Sequence, residues 1–312
     1  MDLKLQDKVV LVTGGSKGIG KAISLNLSKE GCRVAICARG KDLLKKTASF
    51  IQNETGNEVF PVTADLTQPA DVKLMAENIV SHFGRIDVLV NNAGSSPGGI
   101  LETLTEEDWA QSLQLKFMGY VRCCKEIIPY MRKQGGGRVV NIIGNDGVKF
   151  SYWEITPGAA NAAGQNFTLS LSGQYGKDNI TFVAINPGPV ATERWDGLLE
   201  AMARDRNISK EEADRLSKAS IPLGRICTPE EVADLATFMA SDRAHFINGT
   251  MVEIDGSVQA EQVRLAIAGA DPVAFELAEQ EAEKYSESYC EAERVRRNCC
   301  CRPHSSRSNG GR

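Results

Sequence analysis

The stretch Thr13-Gly14-Gly15-Ser16-Lys17-Gly18-Ile19-Gly20 lies between an aliphatic run, Val9 to Val12, and an amphipathic stretch from Gly18 to Lys29. Strand, glycine turn and helix in that order put free backbone amides at a helix N-terminus. There the helix dipole favours an anion, and the missing Cβ atoms let a pyrophosphate come close. A glycine string alone says little; the strand before it and the helix after it make it a dinucleotide-binding turn. Gly14, Ser16, Lys17, Gly18, Ile19 and Gly20 are the expected contacts. At the end of the next apolar run, where a carboxylate would grip both ribose hydroxyls, stands Ala38, followed by Arg39. Without an acid there, Arg39 and Lys17 suit an additional 2′-phosphate, so NADP(H) is expected in preference to NAD(H).

Outward from this unit the same rhythm repeats. Short apolar runs recur at Val34 to Cys37, Val59 to Val62, Ile86 to Val90, Val139 to Ile143, Ile180 to Ile185 and Met251 to Ile254. Most are continuous rather than alternating, as in parallel strands covered on both faces. Helices are predicted between them at about Asp42 to Gln52, Pro69 to His82, Glu106 to Met131, Pro157 to Tyr175 and Pro229 to Ser241. Thr228, Pro229 and Glu231 form a capping box at the last of these. The pattern predicts an α/β fold: a doubly wound, seven-stranded parallel, Rossmann-like sheet with helices on both faces. Residues 1–256 form this nucleotide-binding domain, with a charged lid at about 193–220 after the Pro187-Gly188-Pro189 turn. Residues 257–312 read as a C-terminal extension, helical over the Ala- and Glu-rich stretch Ala266 to Ser288 and then disordered.

Asp65-Leu66 after the third run and Asn91-Asn92-Ala93-Gly94 after the fourth complete a set, and with them the chain resembles the short-chain dehydrogenase/reductase family from about Lys8 to Gly256. The family's Gly-x-x-x-Gly-x-Gly is matched by Gly14, Gly18 and Gly20, and its adenine-contacting acid by Asp65. Its Asn-Asn-Ala-Gly is matched by residues 91–94. Its turn beside the nicotinamide is matched by Asn186 to Thr192, where Pro187, Gly188 and Val190 precede a Thr192 placed to hold the carboxamide. Ile221 to Arg225 and Ile254 to Gly256 match its closing segments. The resemblance implies an oxidoreductase that moves a hydride between nicotinamide and a carbonyl or alcohol. It also implies a homodimer or homotetramer.

The family's proton-transfer set is missing. The resemblance places Lys116 at its Asn, Gly144 at its Ser, Pro157 at its Tyr and Asn161 at its Lys, with Thr156 expected to cap that helix. Proline has no side-chain proton to give, and Gly144 offers only backbone, so the usual mechanism is excluded. Either the site has been rebuilt with other groups, or the chain is an inactive NADP(H)-binding subunit or sensor that forms a hetero-complex with an active relative.

The loop Gly144 to Ile155 follows the fifth strand, where the C-terminal strand ends of such a sheet line the site. Tyr152 is its candidate proton donor. Lys116 and Lys149 are the candidate cations that lower the phenol's pKa, with Lys116 preferred and Lys149 read as solvated. Asn145, Asp146 and Trp195 are candidate substrate contacts, and Glu193 opens the lid beside Trp195. Asn161 retains hydrogen-bonding groups for a ribose hydroxyl but no charge.

Composition removes other classes. Among 312 residues, 36 Lys and Arg face 40 Asp and Glu, a formal net charge of -4 with no basic excess for a nucleic acid. No apolar run approaches the roughly 20 residues a membrane span needs, and Met1 to Leu5 holds no signal core, so a cytoplasmic location is expected. Nine cysteines and three widely spaced histidines make neither a disulfide framework nor a metal set. The expected ligand besides the cofactor is a small-molecule substrate.

Overall fold

Seven strands, counted among the described residues, alternate with helices as the apolar runs predict. The computed structural model describes residues 1–149, 151 and 153–258. In chain order the elements are β1 Val9–Thr13, α1 Gly18–Lys29, β2 Arg33–Ala38, α2 Lys41–Thr55, β3 Val59–Thr63, α3 Pro69–Phe83, β4 Val88–Asn91, α4 Glu106–Ser112, α5 Met118–Lys133, β5 Gly137–Ile142, α6 Ile155–Tyr175, β6 Ile180–Pro187, α7 Glu193–Arg206, α8 Lys210–Ala219, α9 Pro229–Ala240 and β7 Thr250–Ile254. The predicted helical stretch Ala266 to Ser288, the tail cysteines and His304 lie outside the described residues.

The strand order is β3-β2-β1-β4-β5-β6-β7, all parallel. Val10 pairs with Val34 on one side and Val88 on the other, so β1 and β4 form the point at which the chain reverses its direction of winding. Ligands of such sheets bind outside the strand C-termini at that point.

Period-two alternation assigns each strand residue to one of two cores. Val10, Val12, Val34 and Ile36 meet Ile23 and Leu27 of α1, Ile51 of α2 and Val232 of α9. Val9, Leu11 and Ala35 meet Met75 and Ile79 of α3 and Ile127 of α5 on the opposite face. Both faces are therefore apolar, which explains the unbroken runs. Each fully buried aliphatic side chain contributes about 1.5–3 kcal/mol. Cys32, Cys37, Cys123 and Cys124 belong to these cores as free thiols, and burial pushes Cys37 up to about 12.

Two local expectations change. The single helix expected from Glu106 to Met131 is divided by a π turn, Leu113–Phe117; its extra residue leaves the hydrophobic repeat too little altered to read. Thr156 is not a cap. Gly99 N–H donates to Trp153 O at 2.8 Å, and helix α6 starts directly behind this bridge with Glu154 at its N-cap. The Thr156 hydroxyl donates to Pro97 O instead. The segment expected as a lid is two helices, α7 and α8, parted by Asn207 in the left-handed conformation at φ 54°. The capping box at α9 forms as read.

Candidate active site

A cleft of about 810 Å³ opens at the C-terminal ends of β1, β4, β5 and β6. Gly14, Ser16, Lys17, Gly18, Ile19 and Gly20 line one end, with Arg39 and Leu66 beside them. Asn92, Ala93 and Gly94 form the middle, and Pro187, Gly188, Val190 and Thr192 the far wall. Asp65 stands at the exit of β3 outside this lining. Burial opposes its charge, but two hydrogen bonds from Thr67, with Arg39 and Arg122 nearby, hold its carboxyl below the usual range.

Backbone contact shapes the glycine end. A Cβ on Gly20 would lie 2.3 Å from Gly14 O and 2.5 Å from Asn92 Nδ2, and Gly14 takes φ +66°. Asn92 Nδ2 donates to Thr13 O at 2.9 Å, while Thr13 Oγ1 accepts from Asn92 N and Ala93 N at 2.9 and 3.0 Å. The asparagine loop therefore fixes the glycine turn. Across the mouth, Lys17 pairs with Glu193 at 3.2 Å, both largely exposed.

Charge shapes the other end. Lys116, on the π turn, is only 8 % exposed, and its stem lies against Gly94. Its ammonium makes no hydrogen bond or ion pair with a described residue. Burial, then the repulsion of Arg194, pushes it down to about 8, against the pull of Asp146 and Glu154. Lys149 is not solvated as expected. Its side chain is 12 % exposed and meets Glu154 at 2.7 Å and Asp146 at 3.6 Å. Although burial opposes its charge, these two carboxylates raise its pKa above the ordinary lysine value. Glu154, for which burial likewise works against ionisation, is drawn below its usual range by Lys149; Asp146 is pushed above, by burial and by Glu154. Arg194, one residue into the lid, donates from Nη2 to Ser96 O at 3.2 Å.

Neighbouring loops brace this end. Trp153 rests on Gly98, whose Cβ would be 2.4 Å from the ring, and its indole N–H donates to Asp205 Oδ2 of α7 at 3.0 Å. The loops after β4 and β5 and the lid are thus joined. Trp195 lies in the cleft wall, half-buried on the lid's own apolar cluster, and its buried Nε1 has no acceptor.

The profile of the short chain dehydrogenase family matches residues 8–203. The chain belongs to that family. It is 32% identical over 256 residues to the 3-oxoacyl-(acyl-carrier-protein) reductase of Thermotoga maritima, covering 82% of this chain and 99% of the relative. Among solved structures, the L-sorbose reductase of Gluconobacter frateurii complexed with NADPH and L-sorbose superposes with a TM-score of 0.77 at 31% identity, over 82% of this chain and 98% of that one. The actinorhodin polyketide ketoreductase with NADPH gives 0.79 at 30% identity, over 81% and 97%.

In this member of the short chain dehydrogenase family the residues singled out from sequence fall into three groups. The glycine-turn residues, Asn92 to Gly94, the Pro187 to Thr192 wall, Lys116, Asn145, Asp146 and Trp195 share one cleft. Asn145 is buried, with its amide donating to Asp255 Oδ2 at 3.3 Å. Asn161 is fully buried outside the lining; its Nδ2 donates to Asp146 Oδ2 at 3.5 Å and its Oδ1 has no partner. Gly144, at φ +136°, packs on that amide so closely that a Cβ would lie 2.7 Å from it. Tyr152 lies outside the described residues. Arg194 was missed as a member of the cleft, as was the buried pairing of Lys149 with Glu154. Their charges were visible, but nothing local tells a paired, buried cation from a solvated one. Among the described residues no helix is long and apolar enough to cross a membrane, and no group of three His, Cys, Asp or Glu side chains is placed to hold a metal ion.

Proposed function

We propose that the chain is an NADP(H)-dependent oxidoreductase acting between a carbonyl and an alcohol, with a proton source other than the family's usual one. The observation that carries this reading is the continuity of the cleft. The glycine turn, the Pro187-Gly188 wall with Thr192, and the Lys116 ammonium open onto one space, so a dinucleotide on the turn brings its nicotinamide end to the charged end. The residues fit the cofactor: Gly14 and Gly20 leave a backbone cradle that a Cβ would fill, and Ala38 with Arg39 and Lys17 beside it favours a 2′-phosphate over a bare ribose. Two structurally similar reductases were solved with NADPH.

Bound NADP(H) supplies or accepts the hydride. The protein must then deliver a proton to the carbonyl oxygen. Tyr152 in the loop after β5 is assigned this step, with the buried Lys116 charge favouring its phenolate. Thr192 holds the carboxamide, and Asn145, Asp146 and Trp195 contact substrate. The chain acts as a homodimer or homotetramer in the cytosol. NADPH oxidation across a panel of aldehydes and ketones tests the reading. Steady turnover that falls at least about 100-fold in Tyr152→Phe supports it, and an unchanged rate removes Tyr152 from the mechanism.

A second reading has its own observation: Asn161, aligned by resemblance with the family's lysine, is fully buried behind the cleft lining with its amide on Asp146. An NADP(H)-binding subunit without turnover, paired with an active relative, accommodates that change. Hydride transfer by the pure chain would defeat it.

A further inference from the structure

We propose that the charged end of the cleft is an anion subsite, and that the substrates are carbonyl or alcohol compounds whose chain carries a carboxylate. The proposal rests on the oxidoreductase reading, which places the substrate at this end. Three cations, Lys116, Lys149 and Arg194, and two carboxylates, Asp146 and Glu154, line it. Both carboxylates are within ion-pair distance of Lys149, at 3.6 and 2.7 Å. Lys149 takes both ion pairs, so Lys116 and Arg194 face the space without an ion pair of their own, and the five groups together carry one positive charge in excess. Arg194 has a neutral acceptor, Ser96 O, for one N–H, and Lys116 has no hydrogen-bond or ion-pair partner among the described residues.

Lys116 is 8 % exposed as a residue and its ammonium has no ion-pair partner, which is costly because burial strips most of its water without returning a paired anion. A neutral carbonyl substrate does not return one either. A carboxylate does, and it would be favoured over the matching ester by the full difference between a charged and a neutral acceptor. Lys116 and Arg194 approach from different elements, the π turn after α4 and the lid, and so offer two separate donors to two carboxylate oxygens. Phosphate groups more often meet rows of backbone amides at helix N-termini, the arrangement at the other end of this cleft. Of the other nearby acids, Glu193 is held at the mouth by Lys17 and Asp255 accepts from the Asn145 amide.

The test uses the NADPH-loaded full chain. Acetoacetate, levulinate and their methyl esters are titrated calorimetrically, and NADPH oxidation is followed with the same four compounds. The acids are expected to bind at least about 10-fold more tightly than their esters, the scale of a charge-assisted hydrogen bond. That preference is expected to collapse to about 3-fold or less in Lys116→Met, to weaken in the more exposed Arg194→Gln, and to persist in Lys116→Arg. Acids and esters that bind alike, absence of binding by the acids, or an acid preference that survives Lys116→Met would each overturn the proposal. Ester turnover alongside such a result would leave the oxidoreductase reading standing. Conversely, acid-selective binding lost in Lys116→Met with no turnover of any compound would support the anion subsite while counting against catalysis.

Discussion

At the glycine turn the cleft is walled by backbone and small side chains packed to contact, whereas beyond the end of β5 it is walled by five ionisable side chains from three separate segments. The first wall tolerates almost no added atom: a Cβ on Gly20 falls inside Gly14 O. The second holds three cations against two carboxylates, one of the cations buried without a partner. The difference teaches that the two halves answer to different constraints. A pyrophosphate is recognised by shape and amide direction, which only glycine permits. The other end is defined by side-chain charge, and side chains can be exchanged without disturbing the sheet.

The comparison breaks most visibly at Gly20. Gly20→Ala must displace the Gly14 carbonyl or Asn92, and steric overlap of that size is expected to weaken NADPH binding roughly 1000-fold, about 4 kcal/mol, in a fluorescence titration. Retained affinity would show that the cradle is not shape-limited.

The charged end is expected to respond to pH, with Lys116 as the source. Its pKa of about 8 in the folded protein lies below the ordinary 10.5. Between these values the unfolded chain binds the additional proton, so this lysine makes stability rise with pH, by up to about 3 kcal/mol from pH 8 to 10.5. Below about pH 8 both states are charged and the folded state bears the whole burial cost. Urea unfolding of the protein without cofactor across this range should show the rise; Lys116→Met should abolish it and be the more stable protein at pH 7. An identical profile in both proteins would place the ammonium in water.

Two smaller effects sharpen the nucleotide end. Arg39→Gln should lower the preference for NADPH over NADH by roughly 30-fold, about 2 kcal/mol, as read from paired titrations. Glu193→Gln frees Lys17 from an exposed ion pair of little energetic weight, so NADPH affinity should improve by only about 2-fold. A large gain there would mean that the pair latches the lid over the turn.

How much was legible follows the same division. Seven apolar runs, the glycine turn and the Thr228 capping box are local patterns with a single physical reading, and each appears where expected. The π turn was not legible, since one extra residue in a helix barely alters its hydrophobic repeat. Thr156, followed by Pro157, looks like a cap, yet the Gly99 to Trp153 bridge starts the helix before it. Lys149 looked like a surface lysine because its environment is made by Glu154, five residues on, in a loop whose course has no periodicity.

By itself the sequence determined the order of strands and helices, their two apolar faces and the turn open to a pyrophosphate, because backbone conformation and burial repeat are written in neighbouring residues. Only the tertiary structure decided which charges are paired and which stands alone. Arg194 reaches Ser96 across 98 positions of chain, and Trp153 reaches Asp205 across 52. The energy of a buried charge depends on what distant segments bring beside it, and no local pattern encodes that.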